Sequence, residues 1–175
     1  MTFLDQMQGY FRGERVEALF FIAPAALLLF ILAVTAMKSE GGAFGVGMAV
    51  PLVLFGLAAL GTGLVVGLRT PSQVSALESA LASSPKAMVE QELPRMRKVN
   101  ANWHLYLRTW AALVVIGVLV RFALKAEWAQ GLGPALILVG AMGFFIDGFA
   151  ERRSRPYTAA LEALAAQHGV PLETK

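Results

Sequence analysis

Three ionisable side chains inside or beside apolar runs have types and positions that could do chemistry in a membrane. Asp147 lies near the end of the run LGPALILVGAMGFFIDGFA, Arg121 near the end of TWAALVVIGVLVRFAL, and Glu17 directly before ALFFIAPAALLLFILAVTAM. A carboxylate that faces other helices in a bilayer can take part in an ion or proton pathway, and a cation there can contact an anion. For each residue the alternative is a structural ion pair or a side chain that reaches the headgroups.

The spacing around Asp147 favours a structural role at the membrane boundary. Gly143 and Gly140 precede it by four and seven residues, so its carboxylate lies on the small-residue face of its helix and points at protein. It also lies about one turn before Glu151. A carboxylate near a helix C-terminus meets an unfavourable dipole, so we expect a cation to offset it. The candidate cations are Arg152, Arg12 and Arg15.

The other two charges have similar alternatives. Arg121 lies three residues before Leu124, at the end of its run, and its long stem can reach the external headgroups. Its functional alternative is a gate or an anion contact. Glu17 lies at the start of the first run, where the helix dipole favours acids, and it could instead pair with a basic residue of the loop between the second and third runs.

The sequence lacks the motifs of common enzymes and metal sites. It contains no cysteine, and its two histidines, His104 and His168, fall in different segments. It has no Gly-rich phosphate loop, no H-E-x-x-H and no nucleophile-elbow serine. Thiol catalysis and Cys-ligated metals are therefore excluded. We expect a protein that is not an enzyme and has no cofactor or metal.

Composition and four apolar runs predict that the chain lies in a bilayer. Hydrophobic residues make up 57% of the 175 residues and charged residues only 15%, which is more apolar than an ordinary soluble domain. A run of roughly 20 residues spans about 30 Å of hydrocarbon as a helix. The four runs are 18–37, 47–68, 109–124 and 132–150. The sequence predicts an all-α integral membrane protein whose four transmembrane helices form two hairpins.

The distribution of Lys and Arg predicts the orientation of these hairpins. Of the fifteen, all but Lys38, Arg121 and Lys125 flank the runs on one side. By the positive-inside rule both termini lie in the cytoplasm, and the protein belongs to the inner membrane. The predicted layout is an interfacial segment 1–16, a hairpin 17–68, a cytoplasmic helical loop 69–104, a hairpin 105–150 and a cytoplasmic C-terminal helix 151–175.

Prolines and caps predict where the amphipathic cytoplasmic helices begin and end. Helix starts are predicted at Thr70 with Pro71, at Pro85, at Arg95 after a break at Pro94, and at Pro156. Gly169 is predicted to end the last helix. In the N-terminal segment Phe3, Leu4, Met7, Tyr10 and Phe11 recur at helical spacing, and we expect this segment to lie along the inner membrane surface.

Cations and aromatic residues near the runs predict contact with lipid. The candidate headgroup contacts are Arg12, Arg15, Arg95, Arg97, Lys98, Arg152 and Arg153. The residues expected at headgroup level as an aromatic belt are Trp103, Tyr106 and Trp110. Because no nucleic-acid-binding signature accompanies the positive charge, we expect no nucleic-acid partner.

Small residues form stripes that allow helix backbones to approach closely. The candidate packing positions are Ala59, Gly63 and Gly67 in the second run and Gly140 and Gly143 in the fourth. Two interpretations are open: an interface between copies of the chain, or packing against a neighbouring span of the same chain. The second is the commoner outcome for such stripes.

Two stretches of the chain resemble each other and indicate a possible internal repeat. PLVLFGLAALG followed by RTPSQVSALESAL is similar to PALILVGAMG followed by SRPYTAALEAL. A duplication would produce two parallel hairpins related by an axis along the membrane normal. The alternative is that two hairpins leaving the same membrane face need the same caps and the same basic flanks.

Without reactive groups, the sequence predicts a protein that acts through contacts. We expect a small, non-catalytic, polytopic protein that associates with itself or with another membrane protein, in an accessory, assembly or immunity-type role, with membrane lipids around it. The alternative is a homo-oligomeric ion channel or small transporter, whose path would be lined by the glycine stripe of the second run or by Asp147.

Overall fold

The structure, a computed structural model, describes residues 2–171, and all regular secondary structure in that range is helical. The helices are α1 (Phe3–Glu17), α2 (Ala23–Ser39), α3 (Gly42–Ser83), α4 (Pro85–Ala123) and α5 (Glu127–Gln167). A π-helical turn at Ala18–Ile22 joins α1 to α2 without a break. Residue 1 of the predicted N-terminal segment and residues 172–175 of the predicted C-terminal helix lie outside the described range.

Four continuous helices are long and apolar enough to cross a membrane, namely Phe3–Ser39, Gly42–Ser83, Pro85–Ala123 and Glu127–Gln167. The prediction of an all-α fold with four long apolar helices is confirmed for the described residues, and the fold is compatible with a helical membrane protein. Each helix continues from its apolar run into charged sequence. We call residues 18–68 and 105–150 the apolar bundle, and residues 3–17, 69–104 and 151–170 the polar bundle.

The helices do not end at the prolines where new helices were predicted to begin. α3 continues through Pro71, α4 through Pro94 and α5 through Pro156. The predicted starts at Thr70, Arg95 and Pro156 are therefore wrong, whereas the start at Pro85 is confirmed. The Thr70 hydroxyl donates to the Val66 carbonyl O at 2.6 Å inside α3, so it does not cap a helix.

Tertiary packing explains why these prolines are tolerated. A proline inside a helix loses one backbone hydrogen bond and costs about 3 kcal/mol. On both sides of Pro94 the side chains of Leu93 and Met96 are at most 3% exposed, and burial of one such side chain stabilises by roughly 1.5–3 kcal/mol. The packing on each side of the proline thus outweighs the lost hydrogen bond, and local sequence alone does not carry that information.

The π-helical turn before α2 is explained by Pro24. Proline has no N–H, and its ring clashes with the carbonyl four residues earlier, which here belongs to Phe20. The wider turn takes up this clash, and the Ala23 N–H bonds to the Ala18 carbonyl five residues back. Gly63 of α3 packs against this turn, since a Cβ placed there would lie 3.1 Å from the Ala18 carbonyl O.

The four apolar segments are arranged as a row and not as a closed bundle. α3 and α5 pack against each other in the middle, α2 packs on the outer side of α3, and α4 on the outer side of α5. This arrangement leaves broad apolar faces uncovered. The most exposed large side chains on them are Phe20, Leu68, Phe122 and Phe145.

Glycines allow the central helices to cross in close contact. Gly47 of α3 lies against the backbone of Trp128 in α5, and Gly131 of α5 lies against the backbone of Phe44 in α3. The two contacts are reciprocal, as in an interface between two related units. In both positions a side chain of any size would meet backbone, which cannot move aside as a flexible side chain can.

The two hairpins repeat the same contacts at a fixed offset of 84 residues, the separation of Gly56 from Gly140. Gly56 packs against Ala26 and Phe30 in the first hairpin, and Gly140 packs against the residues 84 positions after those two. These residues are Trp110 and Val114. The alternative explanation, a shared need for the same caps and basic flanks, concerns only the ends of the helices. It does not explain why equivalent helical turns meet inside the apolar bundle. The contacts therefore favour the duplication hypothesis.

The polar bundle has a core of its own. Met7, Tyr10 and Phe11 of α1 are at most 7% exposed, and Tyr10 stacks on Tyr157 with ring centroids 4.8 Å apart. The remaining buried members of this core are Met88, Val89, Leu93, Met96, Leu161, Ala165 and Val170. The expectation that the apolar face of the N-terminal segment lies on the membrane surface is therefore wrong for Met7, Tyr10 and Phe11, because α3 and α5 pack against this helix.

The end of α5 is capped as the sequence predicts. Gly169 has φ of +66°, a left-handed conformation that glycine adopts without strain. The Val170 N–H bonds to the Ala165 carbonyl O at 2.9 Å, which is the closing bond of a Schellman motif. This cap turns the chain so that Val170 joins the core of the polar bundle.

Candidate functional site

A layer of polar side chains crosses the molecule where the apolar bundle meets the polar bundle. These residues come from three long helices that change from apolar to charged sequence at this level. We call the layer the junction layer. Its members are Glu17, Asn100, Trp103, Trp110, Asp147, Arg153 and Ser154.

Asp147 is bound by an indole and not by the arginine that the sequence led us to expect. The Trp110 Nε1–H of α4 donates to Asp147 Oδ2 at 2.6 Å. Among residues 2–171 no Lys or Arg nitrogen lies within 4.0 Å of this carboxylate. The expected pairing with Arg152, Arg12 or Arg15 is therefore wrong. The hydrogen bond ties α4 to α5 across Gly143, which lies against the Trp110 ring.

Glu17 forms an ion pair with a residue from the opposite end of the chain. Arg153 of α5 donates to its carboxylate, and Glu17 is only 8% exposed. The expected partner in the loop between the second and third runs is therefore wrong. The Arg153 stem crosses α1 at Gly13, where an added Cβ would lie 2.6 Å from Arg153 Cδ. Arg153, a predicted headgroup contact, thus holds α1 to α5.

A third group of polar residues in the junction layer was not predicted. Ser154 and Trp103 are buried, and the Trp103 Nε1–H donates to Ser154 Oγ at 3.0 Å. Ser154 Oγ lies 2.6 Å from Asn100 Oδ1, and the Asn100 amide donates to Thr158 Oγ1 at 2.8 Å. These bonds join α4 to α5 without any charge. Trp103 therefore turns inwards and does not join an aromatic belt, and only Tyr106 of the three belt candidates is largely exposed.

One sequence signal could have revealed this network. Asn100 and Trp103 are spaced by three residues, and Ser154 and Thr158 by four, so each pair lies on one helix face. Polar pairs of this kind on two adjacent helices can face each other. Which faces meet depends on helix rotation, and that rotation is set by the glycine contacts further along the helices.

A buried ion pair lies deeper in the polar bundle. Arg95 donates to Glu92 through Nε at 2.7 Å and through a terminal nitrogen at 2.5 Å, and the Tyr157 hydroxyl donates to the same carboxylate at 3.0 Å. Glu92 is 5% exposed. Burial alone would lower the pKa of Arg95, but the hydrogen bonds and charge of Glu92 outweigh burial and raise it. Arg95, predicted to contact headgroups, is thus bound to its own helix.

Two tyrosines beside this ion pair are kept neutral. Burial raises the pKa of Tyr157, and the charge of Glu92 raises it further. Burial also raises the pKa of Tyr10, whose hydroxyl donates to Glu14 at 3.2 Å. Glu14 in turn lies 3.9 Å from Arg69 of α3. One group of polar contacts thus joins α4 to α5 and the other joins α1 to α3, and the stacked rings of Tyr10 and Tyr157 connect the two groups.

Arg121 lies at the other end of the apolar bundle, where the second hairpin turns. Its guanidinium donates to the side-chain O of Gln130, and the Gln130 amide donates to the Arg121 carbonyl O at 3.1 Å and the Leu124 carbonyl O at 2.5 Å. The same guanidinium lies 5.7 Å from the Phe122 ring centroid. Arg121 therefore caps the turn between α4 and α5.

The predicted small-residue positions pack within the chain. Gly63 lies against Ala18 and Gly67 against Leu19, both in the first hairpin, and Ala59 is half-buried on the same helix. Gly140 and Gly143 lie against Trp110 of the second hairpin. These glycines fill contacts between helices of one chain.

Other predicted headgroup contacts differ in their surroundings. Arg97 pairs with Glu162 at 3.0 Å. The side chains of Arg12, Arg15, Lys98 and Arg152 are exposed. Two concave surfaces occur near these cations: a cleft of about 500 Å³ beside Arg12 and Arg15, and a groove of about 880 Å³ beside Arg97 and Lys98 whose lining includes Pro171.

Within residues 2–171 no group of three or more His, Asp or Glu side chains is placed to hold a metal ion. Comparison with protein-family models finds no match, and neither the curated proteins nor the solved structures contain a similar chain. Hydrogen bonds and one ion pair among the members of the junction layer hold α1, α4 and α5 together, while Arg153 Nε is buried without a hydrogen-bond partner among the described residues.

Proposed function

We propose that this chain is a non-catalytic protein of the inner membrane that acts by helix–helix association with itself or with another membrane protein. In this proposal the apolar bundle spans the bilayer, the polar bundle lies in the cytoplasm together with both termini, and the role is accessory, assembly or immunity-type. The excess of Lys and Arg in the polar bundle supports the orientation.

The single observation that carries the proposal is the binding of the candidate intramembrane charges within the chain. Asp147 is bound by Trp110, Glu17 by Arg153 and Arg121 by Gln130. An ion pathway needs polar groups that face a water-filled space and exchange partners with the ion. The three charged side chains are instead bound to other residues of the chain, so they stabilise the packing of its helices. We therefore infer that the protein acts through contacts made by its outer surface.

The exposed faces of the row of apolar helices support the proposal that the protein acts by association with another helix. Large apolar side chains cover both broad faces of the row, and Phe122 and Phe145 are 80% and 66% exposed. In a bilayer, such faces pack against another helix through van der Waals contacts and lipid release. The proposal predicts that one of these faces is covered by protein in the membrane.

Cross-linking in the membrane tests the association. The natural chain contains no cysteine, so single-cysteine variants Phe122→Cys and Phe145→Cys report on one face at a time. We expect a disulfide-linked dimer, or a cross-link to a second polypeptide, from at least one of them. A matched variant, Gly61→Cys, lies on α3, where an added Cβ contacts nothing within 4 Å, and samples a different helix. Monomer from every variant, with a monomeric mass in mild detergent by light scattering, would contradict the proposal.

The orientation is tested in the same background. Ser79→Cys lies in the polar bundle and Glu40→Cys in the turn after α2, and both side chains are exposed. A membrane-impermeant maleimide added to intact cells should label Glu40→Cys and not Ser79→Cys. The reverse pattern would place the polar bundle outside the cytoplasm.

The second candidate function is a homo-oligomeric ion channel or small transporter. The observation that favours it is that the Asp147 carboxylate has a single indole donor and no cation beside it among the described residues. This candidate predicts flux through reconstituted protein that Asp147→Asn abolishes while leaving the fold intact. Flux that is absent from the natural protein would remove it.

A further inference from the structure

A cleft opens between α1 and α3 beside the junction layer. Its volume is about 500 Å³. Arg12 and Arg15 line it from α1, Pro71 and Val74 from α3, and Gly9 forms part of its wall. The remaining lining residues are Asp5, Gln8, Phe11 and Thr70.

The cations of this cleft have no partner in the described chain. Arg12 and Arg15 are exposed, and no carboxylate of residues 2–171 lies within 4.0 Å of either guanidinium. The acidic group of the cleft lies at its far end, where Asp5 accepts from the Thr2 N–H at 2.8 Å. The cleft is therefore positive at the end next to the apolar bundle, and it suits an anion that arrives from that side.

The position along the helices places the two guanidinium groups at the boundary of the apolar bundle. Arg15 precedes Ala18, the first apolar-bundle residue of its helix, by less than one turn, and Pro71 follows Leu68 by three residues. Exposed apolar side chains continue from the cleft along both helices. Leu19 lies four residues after Arg15, and Leu68 is 76% exposed. A ligand with a phosphate in the cleft and acyl chains on these stripes fits this surface.

The second repeat has different residues at the positions equivalent to the two arginines. An offset of 84 residues relates Arg12 to Met96 and Arg15 to Val99. Met96 is 0% exposed and Val99 half-buried, both packed in the polar bundle. The hairpin architecture therefore does not require arginines at these positions. The first repeat has cations and an open space where the second has a filled core.

We propose that the cleft between α1 and α3 binds the phosphate of one anionic phospholipid through Arg12 and Arg15. The acyl chains of that lipid lie on the stripes that contain Leu19 and Leu68. The two guanidinium groups supply charge-assisted hydrogen bonds to the phosphate oxygens, a geometry that arginine favours over lysine. This site does not depend on the proposed association with a partner.

Native mass spectrometry of the intact chain in a non-ionic detergent tests the site. Phosphatidylglycerol is titrated against phosphatidylcholine of the same chain length, and we expect one molecule of phosphatidylglycerol to bind preferentially. The double variant Arg12→Gln/Arg15→Gln should weaken that binding by about 30-fold. The matched control Arg108→Gln/Arg152→Gln removes the same charge from two exposed arginines of the second hairpin and should change it less than threefold.

A second variant separates the cleft from general electrostatics. Gly9 lines the cleft, and an added Cβ there contacts nothing within 4 Å, so Gly9→Leu fills the space without a clash and keeps both arginines. We expect it to weaken phosphatidylglycerol binding about tenfold while the helical circular-dichroism spectrum is unchanged. Normal lipid binding by Gly9→Leu, equal loss in the control pair, or displacement of the lipid by millimolar inorganic phosphate would overturn the proposal.

Discussion

The two hairpins share one set of backbone contacts and differ in the side chains that fill them. Gly56 and Gly140 occupy equivalent turns, yet Gly56 faces Ala26 and Phe30 whereas Gly140 faces Trp110 and Val114. Gly63 in the first hairpin corresponds to Asp147 in the second by the same offset. The first hairpin is therefore held by apolar contacts, and the second adds an indole–carboxylate bond. Close approach of the helix backbones is therefore enough to form a hairpin of this kind. The polar pair of Trp110 and Asp147 occurs only in the second hairpin.

The difference continues into the polar bundle. Gln8 of α1 corresponds to Glu92 of α4, and Gln8 is exposed whereas Glu92 is buried beneath Arg95. The first hairpin keeps its polar end open, with a cleft beside α1, and the second fills the equivalent space with its core. The two halves thus place their cations on different surfaces of the polar bundle.

The largest expected effect tests the contact that the hairpins share. Gly131→Leu would place a side chain against the backbone of Phe44 and Met48 in α3, with the first added atom 2.9 Å from the Met48 N. We expect a loss of about 3 kcal/mol or more in the free energy of unfolding, the upper range for overpacking. The measurement is unfolding in mixed micelles followed by circular dichroism. Gly61→Leu, where an added Cβ meets nothing within 4 Å, is the control and should change stability by less than about 0.5 kcal/mol.

The next effect sharpens the contrast between Gln8 and Glu92. Glu92→Ala removes the carboxylate that binds both Arg95 and Tyr157, and we expect a loss of about 2–3 kcal/mol. The figure lies at the low end for a broken buried pair because the Arg95 side chain is 34% exposed. Gln8→Ala breaks only an exposed hydrogen bond to Glu78 and should cost less than about 0.5 kcal/mol. Equal effects of the two changes would contradict the distinction between the hairpins.

A double-mutant cycle measures the bond that only the second hairpin has. Trp110→Phe removes the donor and Asp147→Leu removes the acceptor of the hydrogen bond, and both changes keep most of the side-chain volume. We expect a coupling free energy of about 1–2 kcal/mol between them, typical of a hydrogen bond to a charged group. A cycle between Trp110→Phe and the distant Ser79→Ala is the control and should show no coupling. A coupling indistinguishable from this control would mean that the indole does not bind the carboxylate.

The smallest effect concerns the tyrosine stack that joins the hairpins. Burial raises the pKa of Tyr10 and Tyr157 above the ordinary value of 10.0. In the unfolded chain both tyrosines lose their proton above about pH 10, whereas the folded chain keeps it, so the stability that they contribute is present below pH 10 and is lost as the pH rises further. We expect a loss of about 1 kcal/mol per tyrosine by pH 11. Tyr10→Phe/Tyr157→Phe should flatten this slope, and Tyr106→Phe, at an exposed position, should leave it unchanged.

The sequence contained enough to predict the helices of the apolar bundle. Long runs without charge require helices because a bilayer offers no hydrogen-bond partners to the backbone. The small-residue positions Gly63 and Gly140 were recognised, and the structure places them in contacts within the chain. The similarity around Gly56 and Gly140 also indicated the repeat. The apolar runs and the small-residue positions depend on local composition, and the repeat depends on identical residues at equivalent positions of the two halves. Both kinds of information are present in a single sequence.

Partners across helices were mostly missed, for a physical reason. We predicted an arginine partner for Asp147 because opposite charges attract. The rotation of α4 instead brings the Trp110 indole to the carboxylate. Likewise, Arg153 is close to Glu17 only because Gly13 leaves room for its stem. The helix breaks predicted at the prolines were wrong for a related reason. The free-energy cost of a proline inside a helix can be read from the sequence, but the packing that outweighs it comes from residues far away in the chain. Long-range geometry decides all three cases.

The unbroken course of α5 has a mechanical consequence. Its 41 residues make a rod of roughly 60 Å at 1.5 Å per residue, and the close crossing at Gly131 lies near one end of it. If α5 tilts as a rigid rod about this crossing, the rest of the helix is a lever arm. A tilt of about 5° would displace its far end by roughly 5 Å, from the length of the helix beyond Gly131. A small change of tilt between α3 and α5 would therefore be accompanied by a larger displacement in the polar bundle.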